Sequence, residues 1–182
     1  MGTSQQHDVD FYQWTQEQAA LLRAMSCDSC PLDLDNLAEE IEDMGRDEIR
    51  EISSLLRQTM THLLKIVIDP DTASAAHGFD EIITFQGDAV LAFSPGLKQR
   101  LDLEKIWRVA CNGATRSLEK HGVAVPPLPE NCPLSLDDLL DPEFDPDKAA
   151  KSLDAAIQAT TPGRAGHERH YGECGRCQIR RR

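Results

Sequence analysis

Apolar residues recur along most of the chain at the three- and four-residue spacing of amphipathic α-helices. The longest stretch without a helix breaker runs from Asp33 or Asp35 to about Ile68, with Gly45 as its one weak point. At about 1.5 Å per residue it predicts a rod roughly 50 Å long, which Gly45 either bends or divides. Its apolar stripe comprises Leu37, Ile41, Met44, Ile52, Leu55, Thr59 and Ile66.

Three further helices are predicted beside this long one. Thr15 and Gln18 have the spacing of a capping box, which predicts a first helix ending near Ser26. A third helix carries its stripe on Phe79, Ile82, Ile83, Val90 and Phe93. Ser94 and Pro95 suit the cap and first position of a fourth helix that ends at Gly122. Its stripe comprises Leu103, Trp107, Ala110, Ala114 and Leu118.

The chain changes character after Gly122. Residues 125–129 are rich in proline and predict an extended strap across the helices. Ser135 and Asp145 then cap two short helices. The pattern as a whole predicts an all-α fold, an antiparallel helical bundle of about four main helices with a Pro-rich strap and short C-terminal helices. We predict a flexible N-terminus at 1–9, a single helical domain at 10–160 and a disordered basic tail at 161–182.

Charge narrows the classes of partner. The 182 residues carry a net charge of −12, but residues 163–182 contain six basic and two acidic side chains, so the rest carries −16. A body this acidic repels phosphate backbones, so we expect no nucleic-acid binding by the folded part. No apolar stretch approaches the ~20 residues of a membrane span, and no signal peptide is visible. We therefore expect a cytoplasmic protein, no membrane contact and six reduced cysteines.

Four stretches resemble successive motifs of a bacterial domain-of-unknown-function family, number twenty-nine. They appear in the family's order at Asp10–Thr15, Leu34–Gly45, His62–Lys65 and Asn131–Phe144. The resemblance implies a compact helical fold in a bacterial, cytoplasmic protein, and it implies no activity. The third helix departs from the family, because residues 78–88 lack the tryptophan and the Glu-Gln-Arg-like element that relatives carry.

Three polar residues of the long helix are the candidates for chemistry. Relative to Leu37, Glu48 lies near 20°, His62 near 340° and Glu40 near 300°, on or beside the apolar stripe at about 100° per residue. Glu and His from facing helices are the ligands of metal sites inside bundles. At helical rise, however, Glu48 is about 12 Å from Glu40 and about 21 Å from His62, so these three residues cannot share one ion on a straight helix.

Each candidate would need further ligands, and Glu17, His77, Asp80 and Glu81 are available. The alternative is structural: His62 bonds a backbone carbonyl and Glu48 pairs with an Arg or Lys. The sequence leaves both interpretations open.

Cysteines and histidines supply the remaining candidates. His167, His170, Cys174 and Cys177 lie close enough together to hold a structural zinc ion, against the alternative of a solvated basic tail. Cys27 and Cys30 have redox spacing without the βαβ context that such motifs use. Cys111 and Cys132 are expected to pack in the core.

Two functions from different classes follow. The sequence contains no phosphate loop, nucleophile elbow or His-Glu-x-x-His motif. The first function is therefore that of a protein-interaction or self-association module, which binds a protein partner or a second copy of the chain. The second is a metal-assisted enzyme that uses His62 with Glu40 or Glu48. Its cofactor would be zinc or another divalent metal, although no cofactor is strongly implied.

Overall fold

The computed structural model describes residue 7 and residues 9–25, 31–70 and 75–160 of the chain. Every element assigned in this part is helical and none is a strand, which confirms the all-α prediction. The elements are α1 (Phe11–Ala24), α2 (Leu34–Ile68), α3 (Ala75–Ala92), a 3-10 helix (Pro95–Arg100), α4 (Leu103–Lys120), α5 (Leu136–Leu139) and α6 (Pro146–Thr160).

The long helix α2 is the spine of the fold, because α1, α3, α4 and α6 all pack against it. The Asp33 carboxylate caps it by accepting a hydrogen bond from the Asn36 backbone N–H at 3.2 Å. The 35 residues of α2 continue through Gly45 without a break and end before Asp69 and Pro70. The predicted extent of the rod is therefore confirmed, and Gly45 does not divide it.

The helices α2 and α3 run antiparallel. Along α2 and α3 the contacts follow opposite directions, since Gly78 lies beside Ile66 and Glu81 pairs with His62. The largest fully buried side chains form one core along α2. They are Ile52, Leu56, Met60, Leu63, Leu64, Ile82, Leu97, Trp107, Leu139, Leu153, Thr15 and Thr59.

The first helix begins earlier than the capping box predicts. Asp10 caps it by accepting from the Gln13 backbone N–H at 3.0 Å, so α1 starts at Phe11. Thr15 is buried within α1, where its hydroxyl donates to the Tyr12 carbonyl at 2.7 Å. The predicted start at Thr15 was wrong, because aspartate is as effective an N-cap residue as threonine. Capping by Asp10 also lets the helix include Tyr12, which is buried.

The apolar stripe of α2 was placed one residue off in its N-terminal half. Leu37 and Met44 are 40% and 51% exposed, while Ala38 and Gly45 are buried. The physical reason is the close approach of α1, which only small residues allow. A similar error affects α3, where Ile83 is 57% exposed although it was predicted in the core.

The fourth helix also begins later than predicted. Residues 95–100 form the 3-10 helix, and the Ser94 side chain makes no capping hydrogen bond. The α-helix starts only at Leu103, where the Asp102 carboxylate accepts from the Lys105 backbone N–H at 3.0 Å. Its predicted C-terminal end is confirmed by Gly122, whose φ of 79° is a left-handed conformation.

The strap and the C-terminal helices are fastened by side-chain hydrogen bonds. The Trp107 indole Nε1–H donates to the Pro129 carbonyl at 3.0 Å. Gln86 of α3 is buried, and its Nε2 donates to the carbonyls of Leu139 at 3.2 Å and Asp141 at 2.9 Å. These bonds position the segment after α4 on the bundle, as the strap prediction requires.

Candidate functional site

His62 is half-buried between α2 and α3, and it contacts a carboxylate instead of the expected backbone carbonyl. Its Nδ1 lies 2.9 Å from Oε2 of Glu81, and its ring lies 5.6 Å from that of Phe85 between centroids. Burial lowers the pKa of His62, and the Glu81 carboxylate opposes that shift. A carboxylate holding an imidazole in place is an arrangement that can move a proton.

Glu48 lies in a different environment, beside the first residues of α1. Its Oε2 is buried and accepts no hydrogen bond from any residue that the structure describes. Burial raises the pKa of Glu48, and the negative charges of Asp10 and Glu51 raise it further. Asp10 is fixed there as the cap of α1, with its carboxylate packed against Gly96.

Glu40 is exposed, whereas His62 contacts Glu81 of α3 and Glu48 lies near Asp10. The three candidates therefore have different neighbours. Of the possible additional ligands, Glu81 contacts His62. Across residues 9–25, 31–70 and 77–160, no three His, Cys, Asp or Glu side chains converge as a metal site requires. The catalytic roles of His62, Glu40 and Glu48 therefore stay predictions.

The zinc and redox candidates lie outside the described residues. This applies to His167, His170, Cys174 and Cys177 near the C-terminus and to Cys27 and Cys30 between α1 and α2. The zinc site consequently stays a prediction from sequence.

Cys111 and Cys132 are partly buried free thiols. Cys132 Sγ lies 3.7 Å from the thioether sulfur of Met60, within the core. Burial raises the pKa of Cys111 to about 12 and that of Cys132 to about 11. Neither thiol is ionised near neutral pH, which fits the packing role expected for both and not a nucleophile.

The N-terminal part of the α2 stripe, which the sequence predicts to lie in the core, is largely exposed to solvent. We call α1 together with residues 34–48 of α2 the N-terminal arm. Within 34–48 only Ala38 and Gly45 are buried, and this half of α2 contacts α1 through Gly45 beside Thr15 and Glu42 paired with Arg23. Leu37, Ile41 and Met44 form a stripe on its uncovered side, with Leu37 and Met44 exposed and Ile41 partly so. Exposed apolar residues of α1 and the following loop enlarge the arm's apolar surface, namely Leu21, Met25 and Leu32.

The arm is also strongly acidic. It contains eight carboxylates and two arginines, a net charge of −6. Arg23 and Arg46 both pair with Glu42, whereas Asp35, Glu39 and Glu40 form no ion pair among the described residues. This density of acidic residues was the available sequence signal that the stripe faces solvent, since carboxylates rarely surround a core helix.

The fold defines an all-α protein built around one long helix. In the described part of the chain, no helix combines the length and the apolar character needed to cross a membrane. The model of the family DUF29, a domain of unknown function, matches residues 7–145. The chain belongs to the DUF29 family, which confirms the resemblance of its motifs.

A solved structure has a similar all-helical fold. The crystal structure of an α-helical protein of unknown function from Rhodospirillum rubrum, at 1.45 Å resolution, has 36% sequence identity to this chain. The match covers 81% of this chain and 96% of that one, with a TM-score of 0.75. No functionally curated protein matches the chain.

Proposed function

We propose that this protein is a protein-interaction module whose N-terminal arm binds a basic amphipathic segment of a partner protein. The observation that carries the proposal is the exposed stripe Leu37, Ile41 and Met44 on a surface of net charge −6. Apolar stripes rimmed by charge are typical of protein-binding surfaces.

The spacing of the stripe suits a helical partner. Leu37 and Met44 are two turns apart, about 10 Å, and Ile41 lies between them. A partner helix with apolar residues at i, i+3, i+4 and i+7 presents the same period. Glu40 and Asp47 lie at one edge of the stripe, where they would meet basic residues flanking the partner's apolar side.

Charge favours a basic partner over a second copy of the chain. Two arms brought together would each contribute −6, and this repulsion opposes self-association at low ionic strength. A partner rich in Lys and Arg would be attracted instead, with faster association. Self-association through the arm is thus the competing outcome that an experiment must separate.

The rest of the proposal follows the sequence expectations. It places the protein in the bacterial cytoplasm and keeps the division into an N-terminus at 1–9, a helical domain at 10–160 and a basic tail at 161–182. The metal-assisted enzyme remains the second hypothesis, with the His62–Glu81 pair as its best-formed element.

A binding titration with a synthetic helix tests the proposal. The probe is an amphipathic peptide of about 18 residues, with leucines at helical spacing and lysines elsewhere. We expect Leu37→Ser with Met44→Ser to weaken its binding at least about tenfold, because each loses roughly 1–2 kcal/mol of apolar burial. Isothermal titration calorimetry of the full chain measures the dissociation constants.

Leu91→Ser is the matched control, because Leu91 is 86% exposed on α3, outside the arm. It should leave peptide binding unchanged. Equal weakening by Leu91→Ser, or no effect of the arm variant, would contradict the proposal. A dimer that sedimentation shows to be disrupted by Met44→Ser would support self-association instead.

A further inference from the structure

A surface of opposite charge lies halfway along α2, where it meets the start of α4. A cavity of about 410 Å³ opens there between residues 49–57 of α2 and the segment from Arg100 to Val109. This volume lies in the range of sites that bind small molecules.

Four cationic side chains line this cavity, namely Arg50, Arg57, Arg100 and Lys105. Asp102 is the single carboxylate of the lining, and it is already engaged as the cap of α4. The cavity therefore carries a net charge of +3 within a chain of net charge −12. Because like charges repel, such a cluster is stabilised when an anion enters it.

Most of these cations form no ion pair with a residue that the structure describes. Among the described residues, Arg57, Arg100 and Lys105 form no ion pair. Arg57 donates to the Ser54 hydroxyl at 3.4 Å, and the Arg100 guanidinium carbon lies over the Tyr12 ring, 5.2 Å from its centroid. Neither contact neutralises the positive charge of the guanidinium, so both arginines can still bind an anion.

Arg50 alone has an acidic partner, and that contact is weak. It pairs with Asp47 one turn away at 2.6 Å, but both side chains are 68% exposed. Exposed pairs of this kind contribute little to stability. Arg50 is therefore also available to a ligand.

We propose that this cavity binds a small organic phosphate, such as a mononucleotide or a phosphorylated sugar. Guanidinium groups match phosphate oxygens in two-point hydrogen bonds, and the hydroxyls of Ser53 and Ser54 add donors between Arg50 and Arg57. Ile49 and Ile106 provide the apolar wall for the organic part. A nucleic-acid polymer fits poorly, because the acidic surface beyond the cavity repels its remaining phosphates.

Thermal melting of the full chain with defined probes tests this site. The probes are ATP, AMP and glucose 6-phosphate, with adenosine and inorganic phosphate as comparators. We expect at least one organic phosphate, near ten times its dissociation constant, to raise the melting temperature by about 3–6 °C. The comparators should produce no shift at the same concentration.

Two substitutions locate the binding. Arg57→Gln with Lys105→Gln should weaken it at least about tenfold, because each removes a charge-assisted hydrogen bond. Arg116→Gln with Lys120→Gln removes the same charge from exposed positions of α4 outside the cavity, and should have no effect. A measurement on the unmodified protein is also available: ligand should slow acylation of Lys105 by an amine-reactive reagent, but not that of Lys120.

Any of three results would overturn the proposal. They are no stabilisation by any organic phosphate, equal stabilisation by inorganic phosphate, and equal weakening of binding by both pairs of substitutions. Tighter binding of a short oligonucleotide at Lys105 would show a nucleic-acid site instead.

Discussion

Gly45 shows how one residue determines the packing of two helices. A Cβ at this position would overlap the Thr15 hydroxyl and approach Tyr12 Cδ2 to 3.2 Å. Both neighbours are buried, so they have little room to move. The absence of a side chain at position 45 is what allows α1 to approach the spine.

Gly45→Ala should therefore destabilise the protein even though alanine favours helices. Overpacking costs about 1–3 kcal/mol, against a propensity gain of about 1 kcal/mol. Gly87→Ala is the control, since a Cβ there meets nothing within 4 Å and should stabilise by about 0.5–1 kcal/mol. Urea unfolding measures both, and a stabilising Gly45→Ala would refute the close contact.

Glu48 provides a prediction about pH. Its raised pKa means that the folded state holds the proton more tightly than the unfolded chain, whose ordinary value is 4.5. The stabilisation that Glu48 contributes is fully present below pH 4.5, and it is lost as the pH rises through the pKa of Glu48 in the folded state.

Glu48→Gln should consequently stabilise the protein at pH 7, by up to about 1 kcal/mol after solvent screening, because it removes a partly buried negative charge that Asp10 and Glu51 repel. The gain should disappear below about pH 4, where the carboxyl is protonated in both states. Glu119→Gln, at an exposed position of α4 far from Glu48 in sequence, is the control. A destabilising effect of Glu48→Gln at pH 7 would indicate a favourable partner for the carboxylate.

At the scale of the elements, Gln86 connects α3 to the segment around α5. Replacing it with methionine keeps the size and leaves the Leu139 and Asp141 carbonyls without their donor. We expect Gln86→Met to cost about 1–3 kcal/mol in thermal or urea unfolding. Gln158→Met, at an exposed site of α6, should change stability by less than about 0.5 kcal/mol. Equal effects would mean that Gln86 does not hold the segment.

The sequence predicts elements better than it predicts their contacts. Periodicity located α2 and α4 because each has one continuous apolar stripe and a clear end, such as Gly122. It could not choose between Leu37 with Met44 and Ala38 with Gly45, since both pairs repeat every seven residues. The choice depends on which helix packs there, and that is a property of the assembled fold.

The contacts within the candidate sites could not be predicted from the sequence for the same reason. The pairing of His62 with Glu81 requires two helices to be aligned in one register. The basic cavity collects side chains from α2, the 3-10 helix and α4, far apart in sequence. Arg50 and Arg57 are two turns apart with two serines between them, but Arg100 and Lys105 come from a distant part of the sequence.

At the scale of the whole molecule, charge is divided between distinct surfaces. The arm carries −6, whereas the cavity at the middle of α2 carries +3. The two surfaces should therefore respond to different ligands. Basic peptides should act at the arm, and small anions should act at the cavity.

Salt should distinguish the electrostatic part of peptide binding from the apolar part. Raising ionic strength from about 0.05 to 0.5 M shortens the screening length severalfold, so affinity for the lysine-rich peptide should fall. Binding should still persist, because burial of Leu37 and Met44 is not screened. Calorimetry at both salt concentrations measures this. Complete loss at high salt would show that the apolar stripe does not contribute.

The central claim is that the N-terminal arm is the protein-binding surface. Hydrogen–deuterium exchange of the full chain, with and without the basic amphipathic peptide, tests it most directly. We predict slower exchange in residues 11–24 and 34–48 on binding, with residues 103–120 unchanged. Protection confined to other helices, or no protection at saturating peptide, would contradict the claim.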